Sequence, residues 1–214
     1  MSPRTVIGLL FVCVTLSALA QEQKIAELPK LDISRMHEAL PDKEYTAKCT
    51  DTSFVAPGGE RVQRLEILIS ATRRQVWEAV STSEGLRGWV APNTDVDMKT
   101  GGHYFTNYNP KAKIGDPGTI YNSVLTHVPL EMVAIHVKLG AQIFPESVAT
   151  ADRLSAILQI HDAGPGQVRV SETMTGWQAG EDWDKVYKFF QTGNAYSLGQ
   201  LYKRFVVGPR QWTQ

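Results

Sequence analysis

EDWDKVYKFFQTGNAYSLGQLYKRF, residues 181–205, is the stretch on which the fold turns. Trp183, Val186, Tyr187, Phe190, Leu198, Leu201 and Phe205 recur at threes, fours and one double turn, the spacing of one apolar face on an α-helix. That face has a single vacancy at Asn194, a polar side chain where the stripe wants a hydrophobe. At about 1.5 Å per residue, a helix of this length runs roughly 37 Å, enough to cross a small sheet. It arrives after a series of strand patterns, and a long helix laid on a curved antiparallel sheet encloses space.

The strands come first in the chain. Residues 53–56 and 61–70 read as a hairpin turned by Pro57-Gly58-Gly59. TRRQVWEAVS, residues 72–81, is a short helix with Val76, Trp77 and Val80 on one face, and a second over residues 83–89 ends before Pro92. Residues 96–99 turn through Gly101-Gly102 into 103–108, and after a loop, 118–128 and 132–139 form a hairpin around Pro129-Leu130. A loop over residues 140–152 contains Pro145, and the last two strands, 153–161 and 168–175, are joined by DAGPG. Asp182 is a suitable N-cap for the closing helix. Strands, two short helices after the first long strand, and a long helix at the end make an α+β fold.

The N-terminus has a different job. Arg4, an apolar run over residues 6–16 and Ala18-Leu19-Ala20 before Gln21 follow the plan of a cleaved secretory signal. The run is too short to span a bilayer, which takes about twenty residues. We expect a signal peptide over 1–20, an extension with a first hairpin strand over 21–60, the main domain over 61–206 and a tail over 207–214. After cleavage no further segment is apolar enough to be an integral membrane span, so the protein is expected to be secreted or periplasmic. Cys49 would be the one remaining cysteine, which rules out an intrachain disulfide framework. Lysine plus arginine equals aspartate plus glutamate at 22 each, and no run of like charge stands out. That balance argues against a nucleic-acid partner, which wants a basic face.

Catalytic and nucleotide-binding signatures are absent, and the five histidines share no metal-ligand spacing. No catalytic residue, metal or cofactor is assigned. Glu172 is the informative position. In QVRVSETMTGW, alternation places Val168, Val170, Glu172 and Met174 on one face, the face a closing helix would cover. A carboxyl group there is either turned out by a bulge, tied by a structural hydrogen bond to Asn194 or a tyrosine, or serves as a polar anchor in an apolar pocket. Asn194, beside Gly193, either caps or kinks the helix or points its amide into the cavity. Trp89 is core or a wall of the cavity mouth. Tyr104, Thr106 and Tyr108 share one strand face, and two tyrosine hydroxyls on a buried face want partners. Trp89, Tyr104, Tyr108, Glu172, Met174, Phe190 and Asn194 are the candidate ligand-binding residues.

Four segments carry a resemblance to a known family: ISATRRQVWEAVSTSEGLRGWVAP (69–92), VDMKTGGHYF (96–105), GDPGTIYNSVLTHVPLEMVAIH (115–136) and GWQAGEDWDKVYKFFQTGNAYSLGQLYKRF (176–205). In this order they resemble the SRPBCC (START-like, helix-grip) superfamily, in the branch named after the C-terminal domain of the heat-shock ATPase activator. The resemblance spans about residues 61–205. It implies a curved antiparallel sheet wrapped around a long C-terminal helix. It sets Trp89 at the tryptophan of the second short helix, Tyr104 at the aromatic after the double glycine, and Glu172 where relatives place a polar residue on the last strand. The superfamily includes lipid carriers, hormone receptors, aromatase/cyclases and co-chaperones, so it implies a fold and not one activity. The export signal and the 21–60 extension have no counterpart in the minimal domain.

Three functions remain open. The first is an exported domain that binds a small, largely apolar molecule, anchored by Glu172 and Asn194. The second is a cyclase- or hydrolase-like enzyme with Glu172 as general acid/base. The third is a co-chaperone-like module that uses the outer sheet face, where Arg169, Ser171, Thr173 and Thr175 lie. Ligand identity and oligomeric state are not legible.

Overall fold

Leu65, Ile67 and Ile69 alternate with Arg64, Glu66 and Leu68, and this period of two builds the strand that anchors the sheet. The computed structural model describes residues 40–141 and 143–212. The expected signal peptide and the extension up to residue 39 lie outside the described residues.

In chain order the strands are β1 (Thr50–Asp51), β2 (Phe54–Val55), β3 (Arg61–Ile69), β4 (Asn93–Val96), β5 (His103–Asn107), β6 (Ile120–Val128), β7 (Met132–His136), β8 (Ser155–Gly164) and β9 (Gln167–Thr175). All pair antiparallel in one sheet of spatial order β1-β3-β9-β8-β7-β6-β5-β4, with β2 also on β3. The helices are α1 (Lys43–Thr46), α2 (Arg73–Ser81), α3 (Ser83–Arg87), α4 (Glu146–Ala149) and α5 (Glu181–Val206). This is the α+β helix-grip arrangement expected, with α5 laid on the concave face of the sheet.

Local chemistry explains the two short helices. Thr72 caps α2 with a reciprocal box: its hydroxyl accepts from Gln75 N at 3.3 Å, and its own N–H donates to Gln75 Oε1 at 2.9 Å. Thr82 then serves both helices, donating to Glu78 O at 2.8 Å and accepting from Gly85 N at 2.9 Å. At α5 the expected cap is corrected. Gly180 holds the N-cap without a side-chain bond, and Asp182 instead accepts from Ser147 Oγ at 2.7 Å. The acidic first turn (Glu181, Asp182, Asp184) still suits the helix dipole. Neither a cap nor a break occurs at Gly193, since α5 is continuous through it. The 140–152 loop carries α4, and its Phe144 packs on Phe189 and Phe190.

The buried side chains form two cores instead of one. The first joins Leu65, Ile67, Ile69, Val170, Leu198 and Leu201 with the inner faces of α2 and α3. The second joins Met174, Ala156, Val148, Trp177, Trp183 and Val186. Between them, from Tyr187 through Ser197, no residue of α5 is buried. That is about three helical turns. The helix is fully packed at both ends, and its middle turns are only partly buried, with Tyr187, Phe189, Phe190 and Ala195 leaning on the two cores.

Residues 42–55 are built into the domain and clasp α5 from outside. Asp42 accepts from Lys203 Nζ at 2.8 Å and Gln200 Nε2 at 3.1 Å, and the Lys203 bond holds its carboxyl below the usual range. The Tyr45 and Tyr202 rings pack at 6.2 Å. The chain crosses α5 at Gly199, where a Cβ would come within 2.8 Å of Thr46 N and 2.9 Å of Tyr45 C. Both atoms are backbone and cannot swing aside. In an open helix Gly→Ala stabilises by up to about 1 kcal/mol. Here Gly199→Ala is expected to reverse sign and destabilise by about 1–3 kcal/mol, measured by urea unfolding. A stabilised variant would show that the crossing is loose.

Candidate functional site

The site is the gap between the two cores. Strand register places its floor: Glu172 on β9 pairs with Leu65 on β3 and Leu158 on β8, so a carboxyl group lies between two leucines on the concave face. Val170, one step toward the first core, and Met174, one step toward the second, are both buried, whereas Glu172 and Leu158 are only half-buried. Solvent therefore reaches the middle of a sheet face whose ends are sealed.

No hydrogen bond or ion pair ties Glu172 to any of the described residues. Burial raises its carboxyl from the ordinary 4.5 to about 7, with no opposing cation. Three groups lie within electrostatic reach of it: Cys49, Tyr104 and Tyr108. Cys49 precedes β1 and donates its thiol to Ala195 O at 3.2 Å. Burial, then the charge of Glu172, pushes it up to about 12. Tyr104 donates to Val80 O at 2.9 Å, and burial, then Glu172, raises its hydroxyl. Tyr108 is raised to about 12 for the same two reasons. It is nevertheless 55% exposed, so it lies at the solvent-accessible edge of the site.

The remaining candidates divide. Asn194 does not bond Glu172. Its Nδ2 donates to Gln63 Oε1 at 3.3 Å and to Met174 Sδ at 3.1 Å. Gln63, 1% exposed, in turn donates to Tyr187 O at 2.9 Å. Gln63 was missed, although it is the odd polar member of the series Gln63, Leu65, Ile67, Ile69. Asn194 meets the sheet at Gln63 and Met174, one strand step along β9 from Glu172. Met174 is sealed in the second core, and Phe190, half-buried, leans on Phe144 and Trp177 at its edge. Trp89 is not a cavity wall. It is buried in the first core, with its indole N–H bonded to Ala79 O at 2.9 Å.

Chemically, the gap offers one carboxyl that exchanges a proton near neutral pH. The neighbouring thiol and phenols stay protonated, so no activated nucleophile or second acid–base group accompanies it among these neighbours. Among the described residues no three His, Cys, Asp or Glu side chains are grouped to hold a metal ion. The outer sheet face has its own depression of about 390 Å³, lined by Arg64, Glu66, Gln159, His161, Arg169 and Ser171. Its charges are largely matched, with Arg169 3.7 Å from Glu66, and Arg64 lies across Thr173.

Glu172 sets a stability test. Between pH 4.5 and 7 the folded protein keeps a proton that the unfolded chain has released, so this group's contribution to stability falls as pH rises through that window. Glu172→Gln removes the effect. It should match the parent at pH 4.5 and exceed it at pH 8 by on the order of 2 kcal/mol, allowing for the solvent that still reaches the side chain. Urea unfolding at the two pH values reads this directly, and parallel pH profiles would contradict it.

The family model described as Activator of Hsp90 ATPase homolog 1-like protein matches residues 70–205. No curated protein matches the chain. Among solved structures, the Aha1 dimer from Colwellia psychrerythraea is 20% identical and superposes with a TM-score of 0.54, covering 69% of this chain and 97% of that one. Protein SSP2350 from Staphylococcus saprophyticus is 14% identical, with a TM-score of 0.53 over 72% of this chain and 97% of that one. MLL2253 from Mesorhizobium loti is 16% identical, with a TM-score of 0.51 over 67% and 98%. At these identities the structures bear on the fold alone. The family match covers more than half of the chain and runs from the end of β3 through α5, the frame that holds the gap. The chain belongs to the Activator of Hsp90 ATPase homolog 1-like family of SRPBCC helix-grip proteins.

Proposed function

We propose that this protein binds a small, largely apolar molecule in the gap between sheet and helix, with Glu172 and Asn194 on its polar side, and that it works outside the cytosol. The observation that carries the reading is the half-buried Glu172 carboxyl, which meets no hydrogen-bond or ion-pair partner among the described residues, beneath a three-turn stretch of α5 in which no residue is fully buried. A packed interior would close such a space. Its surroundings suit an apolar guest, since Leu65 and Leu158 flank the carboxyl in the sheet. A binding role is favoured over catalysis because Glu172 has no partner acid, base or nucleophile poised beside it.

The export half rests on Arg4, the apolar run and Ala18-Leu19-Ala20. Cys49 is compatible with an oxidising compartment, since a thiol held at about 12 forms little thiolate to oxidise. In cells the processed chain should begin at Gln21 and fractionate outside the cytosol. An intact N-terminus in the cytosolic fraction would remove this half of the proposal.

The fluorescent probe N-phenyl-1-naphthylamine tests the gap. At roughly 0.3 kcal/mol per heavy atom, a probe of this size should bind with Kd near 100 µM or tighter. Leu158→Trp places a larger ring in the same space, and should weaken binding at least tenfold while the fold survives. Probe binding that ignores Leu158→Trp would place the ligand elsewhere.

A further inference from the structure

The polar groups around the gap are unequal in what they still offer. Asn194 has committed its N–H groups to Gln63 and Met174, which leaves its carbonyl oxygen without a partner among the described residues. Glu172 presents two oxygens in the same state. Tyr104 has already given its hydroxyl proton to Val80. The free capacity is therefore mostly that of hydrogen-bond acceptors, and the only formal charge is negative.

Among the described residues no cation answers that charge. The titratable groups facing Glu172 are Cys49 from the segment before β1, and Tyr104 and Tyr108 from β5 and its continuation. The sheet neighbours Leu65 and Leu158 and the helix residue Asn194 carry none. No lysine, arginine or histidine shifts the Glu172 carboxyl. A carboxylate in such a place is normally paired, because an unpaired one costs several kcal/mol of lost hydration. In the free protein a solvent proton serves instead, which is why the group titrates near neutrality.

We infer that the molecule held in this gap carries a protonated amine, seated against Glu172 with its hydrocarbon part against the half-buried Leu158. This rests on the gap being a ligand site, as proposed above. An ammonium group supplies both missing things, positive charge and several donors. On binding, a Glu172 carboxyl that is still protonated gives its proton to solvent, and the carboxylate pairs with the ammonium. A carboxylate guest would meet like charge, and a neutral alcohol would leave the site's charge unanswered.

Three probes share one ring system and differ in the head group: 2-naphthylmethylamine, 2-naphthylmethanol and 2-naphthoate. At pH 8 the amine should bind the full mature chain at least tenfold more tightly than the alcohol, with the naphthoate weakest. Between pH 6 and pH 8 the amine's affinity should rise about tenfold as Glu172 ionises, while the alcohol's stays level. Glu172→Gln should lose the amine's advantage over the alcohol. The wild-type pH profile decides the matter even if that variant folds poorly. Equal binding of amine and alcohol at both pH values would overturn this inference and leave the apolar site standing, as would naphthoate binding most tightly at pH 8. If none of the three binds, both this inference and the proposed function fall.

Discussion

A carboxyl group in the middle of a concave, otherwise apolar sheet face is the constraint to which the rest of the structure answers. A helix pressed directly onto Glu172 would strip its hydration and offer nothing in return. The helix instead rests most fully on two cores, one around Leu198 and Leu201 and one around Trp183 and Val186, with its middle turns only partly buried. At the border of the gap, Gln63 reaches the Tyr187 carbonyl and receives Asn194, a polar strut between sheet and helix. Each core is smaller than a single merged one would be, so the helix needs support from outside. Residues 42–49 provide it through the Asp42–Lys203 contact, the close crossing at Gly199 and the Cys49–Ala195 bond.

Much of this was legible in the sequence, for identifiable reasons. The period of 3.6 in residues 181–205 and the period of two in the strands report burial directly, and burial is what the fold satisfies. The capping residue Thr72, the Pro-Gly-Gly turn and the break near Pro92 act locally, so they too could be read. Glu172 was found because it violates its own strand's alternation. Gln63 violates its strand in the same way and was passed over, and with it the true partner of Asn194. A strand alternation says which face a residue takes but not its register against the next strand. The pairing of Gln63 with Met174, and hence its meeting with Asn194, had no local sign.

Trp89 was open between core and wall, and the structure gives it to the core: the α2–α3 corner folds back so that its indole N–H finds the Ala79 carbonyl and its rings fill the first core. Tyr108 was assigned to a buried face with Tyr104 and lies just past the end of β5, where it is exposed. Both outcomes depend on how elements cross in space, which spacing along the chain does not encode. Family membership adds the frame and not the guest: relatives at 14–20% identity share the helix on the sheet, while the contents of the gap rest on this chain's own side chains.

The central claim is that the space between the two cores is real and that Glu172 faces it without a protein partner. A crystal structure of the protein as purified from cells tests this most directly. The account predicts density belonging to no residue of the chain, bounded by Leu158, Glu172 and Tyr108, with the nearest polar atom of that density within hydrogen-bond distance of the Glu172 carboxyl. A structure in which Phe190 and Leu158 close on each other, the space is filled by side chains, and Glu172 is bonded to Asn194 would contradict it.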